Sequence, residues 1–267
     1  MPRFIPHLLT GICLATPAVG APITFDTQSD FTDNFFVTNT PVNWRSAGYV
    51  RGGGQSDTAA MAYDPTPDTT PTALFDGDYQ IDFDLRFTSP SGEPFVGVYF
   101  RSDGTAARNS PLVLLREADG TDGSNPDGSD DQFIFRTAGS MNTANSGATA
   151  LSGFAGQSFV DATFNHIRLL VEEVNAATQL KVTVQTWSTP DPIGTPDWST
   201  DYTYSATDSA AFLGAGEVGF YFNPSPSGAN IDIDNFEVSA VPEPASLGLL
   251  AIGAGLLLTK RRRQPHA

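Results

Sequence analysis

The stretch Tyr79-Gln80-Ile81-Asp82-Phe83-Asp84-Leu85-Arg86-Phe87 puts apolar side chains on odd numbers and polar ones on even numbers without a fault. A period of two residues is the pattern of a β-strand with one face buried and the other turned outward. Leu180 to Gln185 and Glu217 to Phe222 follow the same logic, and so do Ile167, Leu169 and Val171. The more continuous apolar runs, Phe95 to Phe100 and Pro111 to Leu115, suit strands covered on both faces. Segments rich in Gly, Pro, Asp, Ser and Thr separate these runs, and a sustained helical period is missing; only a short helical turn is expected, near Ser209 to Leu213. About a dozen strands in roughly 220 residues predict an all-β fold, a two-sheet antiparallel sandwich of the jelly-roll type. No internal repeat supports a solenoid.

The closing segment, Gly216 to Ser239 (GEVGFYFNPSPSGANIDIDNFEVS), carries a local exception to the alternation. Ile231 and Ile233 share one face, whereas Phe236 and Val238 fall on the other unless an extra residue is accommodated near Asp234-Asn235, so a β-bulge is expected there. This segment resembles the end of concanavalin A-like and laminin-G-like sandwiches. The pair Phe164 to Glu173 (FNHIRLLVEE) and Thr178 to Trp187 (TQLKVTVQTW) resembles their paired central strands. The resemblance implies a structural calcium tying the first and last strands, for which Asp26, Asp232 and Asp234 would supply oxygens. Calcium takes six to eight oxygen ligands, so three carboxylates are a beginning only.

The chain has 267 residues with 30 acidic and 14 basic side chains, a formal net charge of −16. Residues 21–240 alone hold nine Lys and Arg against 29 Asp and Glu, a net of −20. Such a charge repels nucleic acid and anionic lipid and favours divalent cations over polyanionic partners. With 40% hydrophobic residues and 19 Phe, the chain has the material for a core, and its length fits one large domain. The single cysteine, Cys13, lies in the apolar N-terminal stretch, so residues 21–240 have no thiol for disulfides, metal sites or nucleophilic catalysis. His7 and His266 lie at the two ends and leave His166 alone in the body, which excludes a multi-histidine metal site there.

Both ends point to export. Arg3 precedes a mostly apolar run from Phe4 to Val19, interrupted by Pro6 and Pro17, which reads as a signal peptide over residues 1–20 cleaved after Gly20. At the other end, Ala245 to Thr259 is uncharged and is followed at once by Lys260-Arg261-Arg262-Arg263. An apolar run beside a basic block is a membrane signature with the basic side cytoplasmic. Fifteen helical residues reach about 22 Å at 1.5 Å each, short of a hydrocarbon core of roughly 30 Å, so the expected transmembrane helix is a short, provisional anchor. Val241-Pro242-Glu243-Pro244 stands immediately before it. The order of this motif, the apolar helix and the basic block resembles the PEP-CTERM sorting domain of Gram-negative bacteria. Membership would imply recognition by an exosortase, a membrane-embedded cysteine protease, after passage through the general export machinery and signal peptidase. The destination would be the cell surface or the extracellular polysaccharide. The expected organisation is therefore a signal peptide over 1–20, a sandwich over 21–240, a sorting tail over 241–263 and a remnant over 264–267.

Chemistry is harder to find. The Asp- and Gly-rich segment from Asp119 to Asp131 fails the spacing of an EF-hand loop and reads as a surface loop. Asp82 and Asp84 share a strand face and read as exposed members of an ordinary polar surface; an E-x-D-x-E string, carried by laminarinase-like enzymes of this sandwich class, is missing. His166 opposes the apolar face of its strand and lacks a G-x-S-x-G partner, so a structural histidine is expected and no catalytic residue is assigned. Binding leaves a clearer trace. Trp187 follows Lys181, Thr183 and Gln185 on the polar side of its strand, where an aromatic ring can carry the apolar face of a sugar. Trp198, Tyr202 and Tyr204 extend that platform, and Trp44 beside Arg45 is a further candidate. The reading is an exported, non-enzymatic sandwich that binds polysaccharide. Its alternatives are a structural biofilm or matrix component without a discrete ligand and, third, a polysaccharide-processing enzyme.

Overall fold

The computed structural model describes residues 22–39, 42–53, 59–64, 74–88, 94–102, 110–116, 132–136, 148–150, 163–174, 179–186, 200–207, 214–223 and 230–241. They form one short helix, α1 (Gln28–Thr32), and fourteen strands. The strands are β1 (Phe35–Asn39), β2 (Val42–Arg45), β3 (Tyr49–Gly53), β4 (Ala59–Tyr63), β5 (Tyr79–Thr88), β6 (Phe95–Ser102) and β7 (Leu112–Arg116). There follow β8 (Gln132–Arg136), β9 (Ala148–Ala150), β10 (Asn165–Val174), β11 (Gln179–Thr186), β12 (Thr200–Thr207), β13 (Glu217–Asn223) and β14 (Asn230–Ala240). Every alternating or apolar run named from the sequence is a strand, with β5 spanning the alternation from Tyr79 to Phe87. The expected turn near Ser209 to Leu213 lies outside the described residues. Among the described residues the helix is at 28–32, closed by a capping box in which Thr27 and Asp30 each bond the other's backbone amide.

All strand pairs are antiparallel, in two seven-stranded sheets. The first runs β1-β4-β13-β6-β7-β8-β9 and the second β12-β11-β10-β5-β14-β3-β2. Alternation decides what lies between them. Tyr79, Ile81, Phe83, Leu85 and Phe87 of β5 are all buried, as are Ile167, Leu169 and Val171 of β10 and Leu180, Val182 and Val184 of β11. Val96, Val98 and Phe100 of β6 and Val218, Phe220 and Phe222 of β13 join the same core from the other sheet. Each sheet buries one face against the other, which is how a two-layer β-protein removes apolar surface from water. At its centre, Phe220 meets Phe83 edge-on at 5.0 Å and Phe236 at 5.3 Å, while Phe236 meets Phe35 and Tyr63, each at 5.2 Å. Close approach across the first sheet needs a glycine. A β-carbon on Gly219 would stand 2.2 Å from the Met61 carbonyl and 2.3 Å from the Tyr99 hydroxyl, which donates to that carbonyl.

The bulge expected near Asp234-Asn235 is present. β14 pairs with β5 up to Asp234↔Asp84, shifts register, and resumes at Glu237↔Asp82. Asn235 takes a left-handed backbone with φ of 49°. The shift returns Phe236 to the buried side with Ile231 and Ile233. It also changes the neighbour of β14: pairing with β3 runs from Asn230↔Gly53 to Ile233↔Val50, and beyond the bulge Ile23 bridges Phe236 instead. Just after β14, the Val241 amide donates to the Asp78 carbonyl at 3.0 Å.

Phe220→Ala should lower unfolding stability by about 3–5 kcal/mol through lost burial and the cavity it leaves. Truncating the exposed Leu74 should change stability by less than about 0.5 kcal/mol, with urea denaturation of the two variants as the check.

Candidate functional site

The even-numbered residues of β5 form the outward face of the second sheet, and the neighbouring strands answer them in register. Asp82 stands opposite Arg168 of β10, Asp84 opposite His166, and Arg86 opposite Asp232 of β14. The expectation of an exposed, ordinary polar surface is wrong here. Asp82 and Asp84 retain only 7% and 3% of their exposure and Asp232 none. Charges so far removed from water must be paired.

Two clusters do the pairing. In the first, His166 lies between both aspartates, with Nδ1 2.6 Å from Asp84 Oδ1 and Nε2 3.4 Å from Asp82 Oδ1. An imidazole that serves two carboxylates must donate from both nitrogens, so this geometry selects the imidazolium. Arg168 Nε donates to Asp82 at 2.6 Å, Gln80 donates to the other oxygen of that carboxylate, and Asn235 Nδ2 donates to Asp84 Oδ2 at 2.5 Å. The bulge therefore does more than restore the core register, since it aims Asn235 at Asp84. In the second cluster, Asp232 receives Arg51 through Nε at 2.6 Å and Nη2 at 2.9 Å, and Arg86 through Nη2 at 2.7 Å and Nε at 3.0 Å. The Arg86 guanidinium is held between the Tyr49 and Phe164 rings, 4.7 Å and 4.3 Å from their centroids.

The electrostatics follow from burial and partners. Burial pulls His166 down, but its hydrogen bonds to Asp82 and Asp84 outweigh it and raise the imidazole above 6.5. Burial would raise Asp82, yet the bonds from His166, Arg168 and Gln80 hold it below 3.8. Asp234 is pushed up to about 7, first by burial and then by repulsion from Asp84 and Asp26, against the opposing bond from the Asn235 amide. Glu237 is raised by burial and by Asp82, its register partner.

The residues singled out from sequence fare differently. Asp26 and Asp234 come near enough to repel each other, but Asp232 is taken up by two guanidinium groups. A carboxylate already neutralised by two arginines does not serve a cation, and no group of three His, Cys, Asp or Glu among the described residues is arranged to hold a metal ion. The calcium site expected on Asp26, Asp232 and Asp234 therefore does not fit the residues present. Trp44 is not a surface platform. It shares the register of buried Val42, packs against the core, and donates its indole N–H to the Phe25 carbonyl at 2.7 Å. Tyr202 and Tyr204 stand on the edge strand β12, opposite Val184 and Val182. Trp187, Trp198, Pro242 to Pro244, the Asp119 to Asp131 segment and Lys260 to Arg263 lie outside the described residues, and so does the expected membrane helix. Among the described residues no helix is long and apolar enough to cross a membrane. What the sequence reading missed was the His166 bridge and the double arginine clamp. Their only trace was that like-numbered polar positions on three strands carry opposite charges, which becomes informative once the register is known.

Comparison with known proteins places both parts of the chain. Residues 240–264 match the PEP-CTERM protein-sorting motif. The chain carries a PEP-CTERM sorting tail. The match begins at the last residue of β14, so the sandwich and the tail adjoin without a linker. No curated protein matches the chain. Among solved structures, the sandwich is similar to the carbohydrate recognition domain of Emp47p, with a TM-score of 0.51, 9% identity, and coverage of 83% of this chain and 95% of that one. It also resembles a legume lectin-like domain from Entamoeba histolytica (TM-score 0.49, 7% identity, 81% and 94% covered) and a carbohydrate-binding module from Bacillus subtilis (0.46, 13%, 78% and 97%). The fold ahead of the tail is thus a lectin-like, concanavalin-type sandwich.

His166 and Asp234 make stability depend on pH. Both are raised on folding, from 6.5 and 3.8 respectively, so each favours the folded state while protonated. The Asp234 contribution is complete below 3.8 and fades as pH rises through about 7, and that of His166 is complete below 6.5 and fades above it. The melting temperature should accordingly fall between pH 5 and 8, and Asp234→Asn should raise it at pH 8 and flatten the profile. A melting temperature that rises over this range in the parent protein would contradict the paired geometry.

Proposed function

We propose that this protein is an exported, non-enzymatic polysaccharide-binding sandwich, delivered to the cell surface or extracellular matrix of a Gram-negative bacterium through its PEP-CTERM tail. The observation that carries this reading is the junction of the two parts, a lectin-like sandwich whose last strand runs directly into a sorting motif. From Val241, the last described residue, four residues lead to the apolar run, at most about 14 Å when extended. The body is thus held against the membrane until an exosortase acts on the Pro242-Glu243-Pro244 segment, with Lys260 to Arg263 on the cytoplasmic side. Two prolines keep that segment extended, a form suited to a protease cleft.

Sugar binding is supported by the fold shared with a carbohydrate recognition domain and by the outward face of the second sheet. That face offers fixed hydrogen-bonding groups whose charges are already balanced by neighbours, and preorganised groups lose little entropy when a ligand arrives. Trp187, next after β11, and Trp198 are proposed as sugar contacts on their sequence positions.

Two measurements test the reading. Mass spectrometry of the exported protein should find a C-terminus lacking Lys260 to Arg263; an intact tail would leave a plain anchor. The full-length protein in detergent should bind at least one polysaccharide on a glycan array saturably, and Trp187→Ala should weaken that binding by about tenfold or more, as expected for loss of a stacking ring. Absence of binding together with matrix enrichment would favour a structural role, and release of reducing sugar would establish an enzyme.

A further inference from the structure

The body is acidic, yet its cations are not scattered. Three of the nine Lys and Arg in residues 21–240 lie on the outward face of the second sheet between its centre and the β2 edge, on β5, β3 and β2. β2 and β3 pair so that Arg45 stands opposite Tyr49 and Asn43 opposite Arg51, while Trp44 and Val50 turn to the core. Arg45 and Arg51 therefore share the outward face with Arg86, one strand beyond β14. Tyr49 links them, with the Arg51 guanidinium 5.3 Å and the Arg86 guanidinium 4.7 Å from its ring centroid. Against these three cations stands one ion-paired carboxylate, Asp232, fully buried beneath Arg51 and Arg86. Asp26 and Asp234 border the patch on the bulge side.

The two clamped arginines address Asp232 through Nε and Nη2 only. Their Nη1 groups have no hydrogen-bond partner among the described residues, and the side chains keep 19% and 20% of their exposure. Arg45 is exposed and has no ion-pair partner among the described residues. The patch thus presents spare N–H donors in fixed planes, set beside two aromatic rings, with Asp26 and Asp234 at its margin. Guanidinium forks in this state match a planar carboxylate or an oxyanion with several acceptor oxygens.

We propose that Arg45, Arg51 and Arg86 bind the anionic substituent of an acidic polysaccharide, the carboxylate of a uronate residue or a sulfate ester. The proposal rests on the reading of the sandwich as a polysaccharide binder and names the class of polymer. It runs against the net charge of the body, which disfavours polyanions at long range. At physiological ionic strength that repulsion is screened beyond about 8 Å, and a contact pair inside this distance decides the outcome.

The test uses the full-length protein in detergent at about 0.15 M salt, titrated with polygalacturonate, dextran sulfate and neutral dextran. Binding of either acidic polymer in preference to dextran is expected, and the stronger of the two identifies the group as carboxylate or sulfate. Arg45→Gln removes an exposed charge with no structural bond, and Arg51→Gln leaves Asp232 still paired to Arg86, so both variants should melt near the parent. Each should weaken acidic-polymer binding by about tenfold, the scale of one lost charge-assisted contact. Asp232→Asn uncovers the buried cations and should strengthen it. Acidic-polymer binding unchanged in both arginine variants would overturn the proposal. Saturable binding of a neutral glycan with none of an acidic one would overturn it and leave the polysaccharide-binding reading standing; no binding of any polymer would remove both.

Discussion

A charged side chain on an inner strand of a seven-stranded sheet has a neighbour on each side and little water above it. β5 lies between β10 and β14, and its outward residues Asp82, Asp84 and Arg86 are subject to that constraint. Much of the second sheet can be understood as the solution. Each buried charge is met across the strands by a group of opposite sign, and the two sides of β5 are used together: β10 supplies His166 and Arg168, while β14 supplies Asp232 and Asn235. A register slip of one residue would put these charges into the core and the phenylalanines into water. The polar face and the apolar face therefore specify the same alignment, and neither can be changed without the other.

This explains how far the sequence could be read. The alternation in β5 and its repetition in β10, β11 and β13 were enough to name the fold class, because burial on one face imposes a period that survives in the chain. The bulge was legible for the same reason, since Ile233 and Phe236 cannot both face inward without it. The pairing of charges was not. Asp82 and Asp84 look like any acidic residues on a solvated strand until β10 is laid beside them, and that alignment joins positions 82–86 residues apart. Asp232 shows the same limit in reverse. A carboxylate near the end of such a sandwich suggested a cation ligand, and only the approach of Arg51 from β3, 181 positions away, makes it the base of an arginine clamp. Trp44 misled because its neighbour Arg45 is polar, whereas the pairing of β2 with β3 turns the indole inward and the arginine outward.

The tail is a different kind of feature. Its meaning lies in the local order of motif, apolar run and basic block, which requires no tertiary alignment, and so the sorting motif was readable without the fold. What the structure adds is its attachment. β14 is an inner strand, bonded to β5 through Ala240 and followed by the Val241–Asp78 bond. The chain that leads into the tail is thereby tied to the middle of the second sheet.

The outward face also bears on whether the body performs chemistry. Asp82 held below its ordinary range and Asp234 pushed up to about 7 lie on adjacent strands, the kind of split found between acid and base in hydrolytic sites. A base or nucleophile must also have a lone pair free for the substrate. Asp82 accepts from His166, Arg168 and Gln80, and Asp84 from His166 and Asn235, so most of their acceptor positions are already engaged. Asp234 owes its high value to burial and to the repulsion of Asp84 and Asp26, a direct result of closing the bulge over like charges. The bonds that fix the register of β5, β10 and β14 thus also set the ionisation of the carboxylates on that face.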